Sequence, residues 1–212
     1  MSIRRAVPLA MVLATVAAIL GSATPAVADA GPSPLPPDQA QALATTGAET
    51  SGSTTTAVAG SDALNASTIP GAETSIEAGV SPQAAVGLAP LSESSVIAAT
   101  RPSCWSNAAW HQWGTWPYQQ RITDTTYWCA VFGSHITYRT SATTASGTLC
   151  GVSWRAHALI AGGVGRGFTF FTMRSSAGFS CPTIIPWITL HPTHHEDVKR
   201  TDRGVTTFVG SG

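Results

Sequence analysis

Three groups of residues have types and spacings that could do chemistry. The first, His191-Pro192-Thr193-His194-His195-Glu196-Asp197, gathers three of the six histidines. If Pro192 opens a short helix, His191 lies beside His194 and His195 at i+3 and i+4. Neutral imidazoles grouped in this way can hold zinc, with a nearby carboxylate as ligand or general base. The string matches neither H-E-x-x-H nor H-x-x-E-H, and a solvated turn accounts for the same residues. The second group is Trp105, Trp110, Trp113 and Trp116, followed by Pro117 and Tyr118. Positions 110, 113 and 116 share one side of an extended threefold conformation. Flat, exposed indoles are what a sugar-binding surface needs, with Gln112, Gln119, Gln120 and Arg121 as polar partners. Burial in the core competes with that reading, because one Trp buries roughly 150–250 Å². The third is Gly151-Val152-Ser153-Trp154-Arg155, which begins like a nucleophile elbow but lacks the second glycine and the strand-to-helix turn. A triad of Ser153, His157 and Asp124 would need a bulge, since residues four apart on a strand are about 13 Å apart. The glycines between Gly162 and Gly167 form a turn and not a phosphate cradle.

These groups must be positioned by short strands. Thr125 to Phe132 and His135 to Thr140 flank Gly133-Ser134 and predict a tight hairpin. Cys150 to Ala158 alternates, with Cys150, Val152, Trp154, Ala156 and Ala158 on one face and Gly151, Ser153, Arg155 and His157 on the other. Phe168 to Arg174, Ile184 to Leu190 and Val205 to Val209 are further strand candidates, the second at an edge because Pro186 donates no ladder hydrogen bond. No long helical period competes. The expected fold is all-β, a small antiparallel sandwich or barrel stapled by two disulfides and preceded by a disordered linker.

Four cysteines, Cys104, Cys129, Cys150 and Cys181, lie 25, 21 and 31 positions apart. Wide spacing disfavours a metal knuckle and favours two disulfides, as in exported domains. Three pairings are open. Cys104–Cys129 with Cys150–Cys181 is preferred, each loop contributing roughly 3–4 kcal/mol in the chain-entropy model.

Domain limits come from composition. Arg4 and Arg5 precede an apolar run from Ala6 to Gly21 and small-x-small sites at Ala26-Val27-Ala28 and Ala28-Asp29-Ala30. This is the order of a signal peptide, cleaved after Ala28 or Ala30. The run is shorter than the ~20 residues that span a bilayer, so no membrane span is expected in the mature chain. Residues 31 to 100 hold six acids, no Lys or Arg, and no aromatic residue or cysteine. They read as a disordered Ala/Ser/Thr/Pro-rich acidic linker or pro-segment. Residues 101 to 212 hold all seven Trp and nine bases against four acids, and read as the folded domain. The zero net charge of the whole chain therefore hides an acidic segment joined to a basic one. The excess is too scattered to imply a nucleic-acid partner. The layout, with one Lys and abundant Ala, resembles exported proteins of high-GC bacteria, which implies a habitat and no activity.

Taken together, the sequence points to a secreted, extracellular, non-catalytic binding module. It would hold polysaccharide or a cell-wall surface through Trp110, Trp113, Trp116, Tyr118 and Arg121, with no cofactor. Two alternatives stand beside it. One is a small metal-dependent hydrolase built on the His191–Asp197 cluster with zinc at His191, His194 and His195. The other is an extracellular protein-interaction factor such as an inhibitor or toxin.

Overall fold

The computed structural model describes residues 33–45, 49–88 and 101–212. The signal-peptide reading and its cleavage sites fall outside them. The described chain is all-β, built from two antiparallel sheets. Its elements in order are α1 (Pro37–Thr45), β1 (Thr50–Val58), α2 (Gly60–Ala66), β2 (Glu73–Ile76), α3 (Pro82–Ala85), β3 (Ser103–Trp113), β4 (Gln120–Val131), β5 (His135–Gly147), β6 (Gly151–Gly162), β7 (Phe170–Pro182), β8 (Thr189–Leu190), β9 (Thr193–Thr201) and β10 (Thr206–Ser211). One sheet, here sheet A, runs β1-β3-β4-β5-β2. The other, sheet B, runs β10-β9-β7-β6, with β8 against β7.

The sheets pack through alternating inward residues. Trp113, Tyr118 and Ile122 of sheet A and its β3–β4 loop share one cluster with Ala177, Phe179 and Cys181 of sheet B. Trp128, Ala130 and Ile136 share another with Phe171 and Met173. Between these apolar clusters lies a buried polar one. Arg200 donates to Asp124 Oδ2 at 3.2 Å and to Asn107 Oδ1 at 2.8 Å, and Thr126 Oγ1 donates to Asp124 Oδ1 at 2.7 Å. A buried charge has to be paired in this way to avoid a large desolvation cost.

The disulfides are Cys104–Cys129 and Cys150–Cys181. The first joins directly paired residues of β3 and β4. The second joins the start of β6 to β7, next to the paired Gly151 and Ser180. Each bond therefore staples neighbouring strands within one sheet.

Residues 33–45 and 49–88 depart from the linker reading. β1 pairs with β3 over nine residues and β2 pairs with β5 over four, so the segment supplies both edge strands of sheet A. Its helices plug the ends: Ala40 and Ala44 enter the Trp113–Tyr118 cluster, while Ala63, Ala85 and Val86 cover the Cys104–Cys129 bond and Tyr138. Composition hid this because β1 (TSGSTTTAV) buries none of its residues. Its Thr residues favour strand, and its attachment comes from backbone pairing with an existing sheet edge. It does not need a hydrophobic face of its own.

Other elements shift more modestly. The β4–β5 hairpin turns through three residues, Phe132-Gly133-Ser134, with Ser134 N–H donating to Val131 O and Gly133 at φ 70°. The expected strand over Ile184 to Leu190 shrinks to Thr189–Leu190.

Candidate functional site

The Trp110–Trp116 stretch does not form a threefold platform, because β3 is a pleated strand with a period of two. Trp113 is 3 % exposed, its indole held between His111 and His194 at centroid distances of 4.3 and 4.5 Å. Trp110 lies across Gly52 of β1, where an added Cβ would meet the indole at 2.9 Å. The Arg121 guanidinium sits 4.4 Å over the same ring. Tyr118 is buried and donates its hydroxyl hydrogen to Pro182 O at 2.9 Å. Trp116 alone of the three Trp is open, 64 % exposed. Trp187 is also open, 84 % exposed, and Tyr118 ties the β3–β4 loop to Pro182 at the end of β7.

The histidine cluster is not assembled either. His194 and His195 are consecutive on β9, so they leave opposite faces of sheet B. His194 points inward, and its Nε2–H donates to Gln120 Oε1 at 2.9 Å. Burial lowers its pKa from 6.5 to about 4, and its Nδ1 has no partner. His195 points outward, and His191 precedes the strand, exposed. Among the described residues, no three His, Cys, Asp or Glu side chains gather as a metal site. Helical spacing suggested convergence, but alternation along a strand separates the rings.

The Ser153 triad also comes apart. Asp124 is committed to Arg200 and Thr126, and His157 Nε2 faces Glu73 Oε2 at 3.2 Å. A bulge does occur between Val152 and Trp154, but it redirects Trp154 and leaves Ser153 exposed.

That bulge builds the most developed surface feature. Past it, the single-face alternation expected for β6 breaks, and Trp154 comes to lie opposite Gly178 of β7. A Cβ on Gly178 would collide with Trp154 Nε1, so the indole lies flat on the β7 backbone. The residue remains 47 % exposed, and among the described residues no ring or cation stacks on it. Around it is a shallow depression of about 370 Å³ bordered by Arg174, Ser176, Thr193 and His195. Asp197 grips Arg174 with two hydrogen bonds, Nε to Oδ1 at 2.8 Å and Nη2 to Oδ2 at 2.7 Å. These bonds raise the Arg174 pKa and fix its guanidinium plane. His195 is anchored through its backbone, N–H to Gly212 O at 2.7 Å and O from Gly212 N–H at 3.1 Å.

The arrangement offers a flat apolar face ringed by hydroxyl, imidazole and guanidinium groups, suited to stacking and hydrogen bonding. Sequence reasoning passed over Trp154 by assigning it to the apolar face of β6. A glycine inside a strand marks close approach of another group, and Gly178 was the available signal. Compared with known proteins, the chain matches no family model, no curated protein and no solved structure.

Proposed function

We propose that the chain is a secreted, non-catalytic binding module that holds polysaccharide on the outer face of sheet B. The observation that carries this reading is Trp154, laid flat on Gly178 with its other face open and polar side chains at its rim. A pyranose ring presents C–H bonds to an indole and hydroxyls to the surrounding Arg174, Ser176, Thr193 and His195. The order of residues at the N-terminus supports export, and two disulfides suit an oxidising compartment. Among the described residues no helix is long and apolar enough to cross a membrane.

Retention on insoluble cellulose, chitin and bacterial cell-wall particles tests the reading. Trp154→Ala should lose retention at least about tenfold, in line with the cost of removing an aromatic anchor from a binding surface. The Trp116→Ala/Trp187→Ala variant should retain like the wild type. If Trp154→Ala binds as the wild type does, or if only the double variant fails, the sheet-B site is wrong.

A further inference from the structure

Side chains leave a strand alternately on its two faces, so the ladder register decides which groups meet on the outside of sheet A. Thr50, Gln112, Arg121 and Ser146 are paired in one continuous row across β1, β3, β4 and β5. The row faces away from the core, since His111 and Ile122, one position along on β3 and β4, are the buried ones. Neighbouring strands lie about 4.8 Å apart. The row therefore sets a guanidinium between an amide and a hydroxyl.

Arg121 is held in place without being used. Its guanidinium carbon lies 4.4 Å from the centre of the Trp110 ring, which itself rests on Gly52. Among the described residues no acid pairs with it, and its buried Nε has no hydrogen-bond partner. An arginine anchored on an indole keeps its full charge, and its N–H groups stay free to donate. Beside it is a recess of about 180 Å³ bordered by Gln112, Gln119, Ser146 and Thr148. All four are uncharged and all can donate. Among the described residues no acid borders the recess.

The acids nearest in register are turned elsewhere. Glu49 precedes Thr50 and takes the opposite face, where it meets His111 Nε2 at 3.1 Å. Asp124, three positions along β4, is buried and bonded to Arg200 and Thr126. Glu196 of sheet B is within electrostatic range of Arg121, but burial raises its pKa to about 8 and leaves it mostly neutral at pH 7.

We propose that this row is a binding site for a carboxylate, separate from the Trp154 surface and on the outer face of the other sheet. One guanidinium among neutral donors balances a single negative charge, and its planar fork matches the two oxygens of a carboxylate. A phosphate dianion would leave one charge uncompensated. A uronic-acid sugar, a peptide C-terminus and a small organic acid all carry the required group.

Proton–nitrogen correlation spectra of the full chain near neutral pH test the site, because the Arg121 Nε–H is observed directly. Sodium galacturonate, N-acetyl-triglycine and sodium acetate are each titrated at constant ionic strength against sodium chloride. Saturable shifts of the Arg121 Nε–H and of the Gln112 and Gln119 side-chain amides are expected with at least one of the three acids. The acid that saturates at the lowest concentration identifies the source of the carboxylate. Galacturonate methyl ester and the peptide amide should shift nothing. Arg121→Gln should weaken binding, read from the two amides, at least about tenfold, as loss of a charged hydrogen bond does. No saturation with any of the acids overturns the proposal. So do equal shifts with chloride or the methyl ester, or saturation by phosphate at a lower concentration. These wild-type spectra decide the matter even if the variant fails to fold.

Discussion

Trp110 on sheet A and Trp154 on sheet B both lie across a glycine of the adjacent strand, Gly52 and Gly178. What covers the second face of each ring differs. Trp110 sits on an interior strand, paired to both β1 and β4, and Arg121 of β4, two residues from the partner Thr123, is its diagonal neighbour. Diagonal neighbours about 7–8 Å apart lie within reach of long side chains, and Arg121 folds over the indole. Trp154 sits on β6, whose only strand partner among the described residues is β7, and the residues flanking Gly178 on the same face are Ser176 and Ser180. Neither serine is long enough to cover the ring. Burying a flat aromatic on a sheet surface thus takes two devices, a glycine beneath and a long side chain above; sheet B has only the first.

Side chains added at the two glycines separate the roles of the two rings. Gly178→Val should lift the Trp154 indole and weaken polysaccharide retention about tenfold, as loss of the aromatic anchor does, with a stability loss of about 1–3 kcal/mol from overpacking. Gly52→Val should cost similar stability and leave retention intact. Equal loss of retention in both, measured by binding isotherms beside denaturant unfolding, would show that the two faces act alike.

A smaller effect concerns β9, which carries His195 and Asp197 toward the Trp154 face and His194 and Glu196 into the core. Burial, with the Asp124 charge adding to it, raises the Glu196 pKa from 4.5 to about 8. The folded chain therefore holds a proton that the unfolded chain releases. Stability from this group is fully present below pH 4.5 and is lost as pH rises through about 8. His194 acts in the opposite sense, because its depressed pKa gives stability present above pH 6.5 and lost as pH falls through about 4. The two oppose each other between pH 4.5 and 6.5, leaving a decline from 6.5 to 8. In Glu196→Gln that decline of Tm, followed by thermal unfolding across the window, should shrink. An unaltered slope would assign it elsewhere.

Arg121→Gln removes the guanidinium from Trp110 at a cost of about 0.5–1 kcal/mol and opens a second indole face. Quenching of Trp fluorescence by acrylamide should increase in this variant. No change would mean that Arg121 is not what shields the ring.

Much of the fold was legible along the chain, and the site was not. The strands β4, β5, β6, β7 and β10 announced themselves by alternation and turn residues, and the cysteine spacing suited the pairing observed. The Trp platform and the histidine site failed for one shared reason. Threefold and helical spacings were applied to residues that lie on strands, where neighbours alternate between faces: Trp110 faces out and Trp113 in, His195 out and His194 in.

The all-β class and the two disulfides follow from the chain alone, because these depend on local residue types, their period and their spacing. Packing laid Trp154 flat beside a polar rim and made residues 33–45 and 49–88 part of the folded unit. A polar strand such as β1 gains its stability from a partner's open edge, and the exposure of an indole depends on side chains dozens of residues away. Neither is written in the segment concerned.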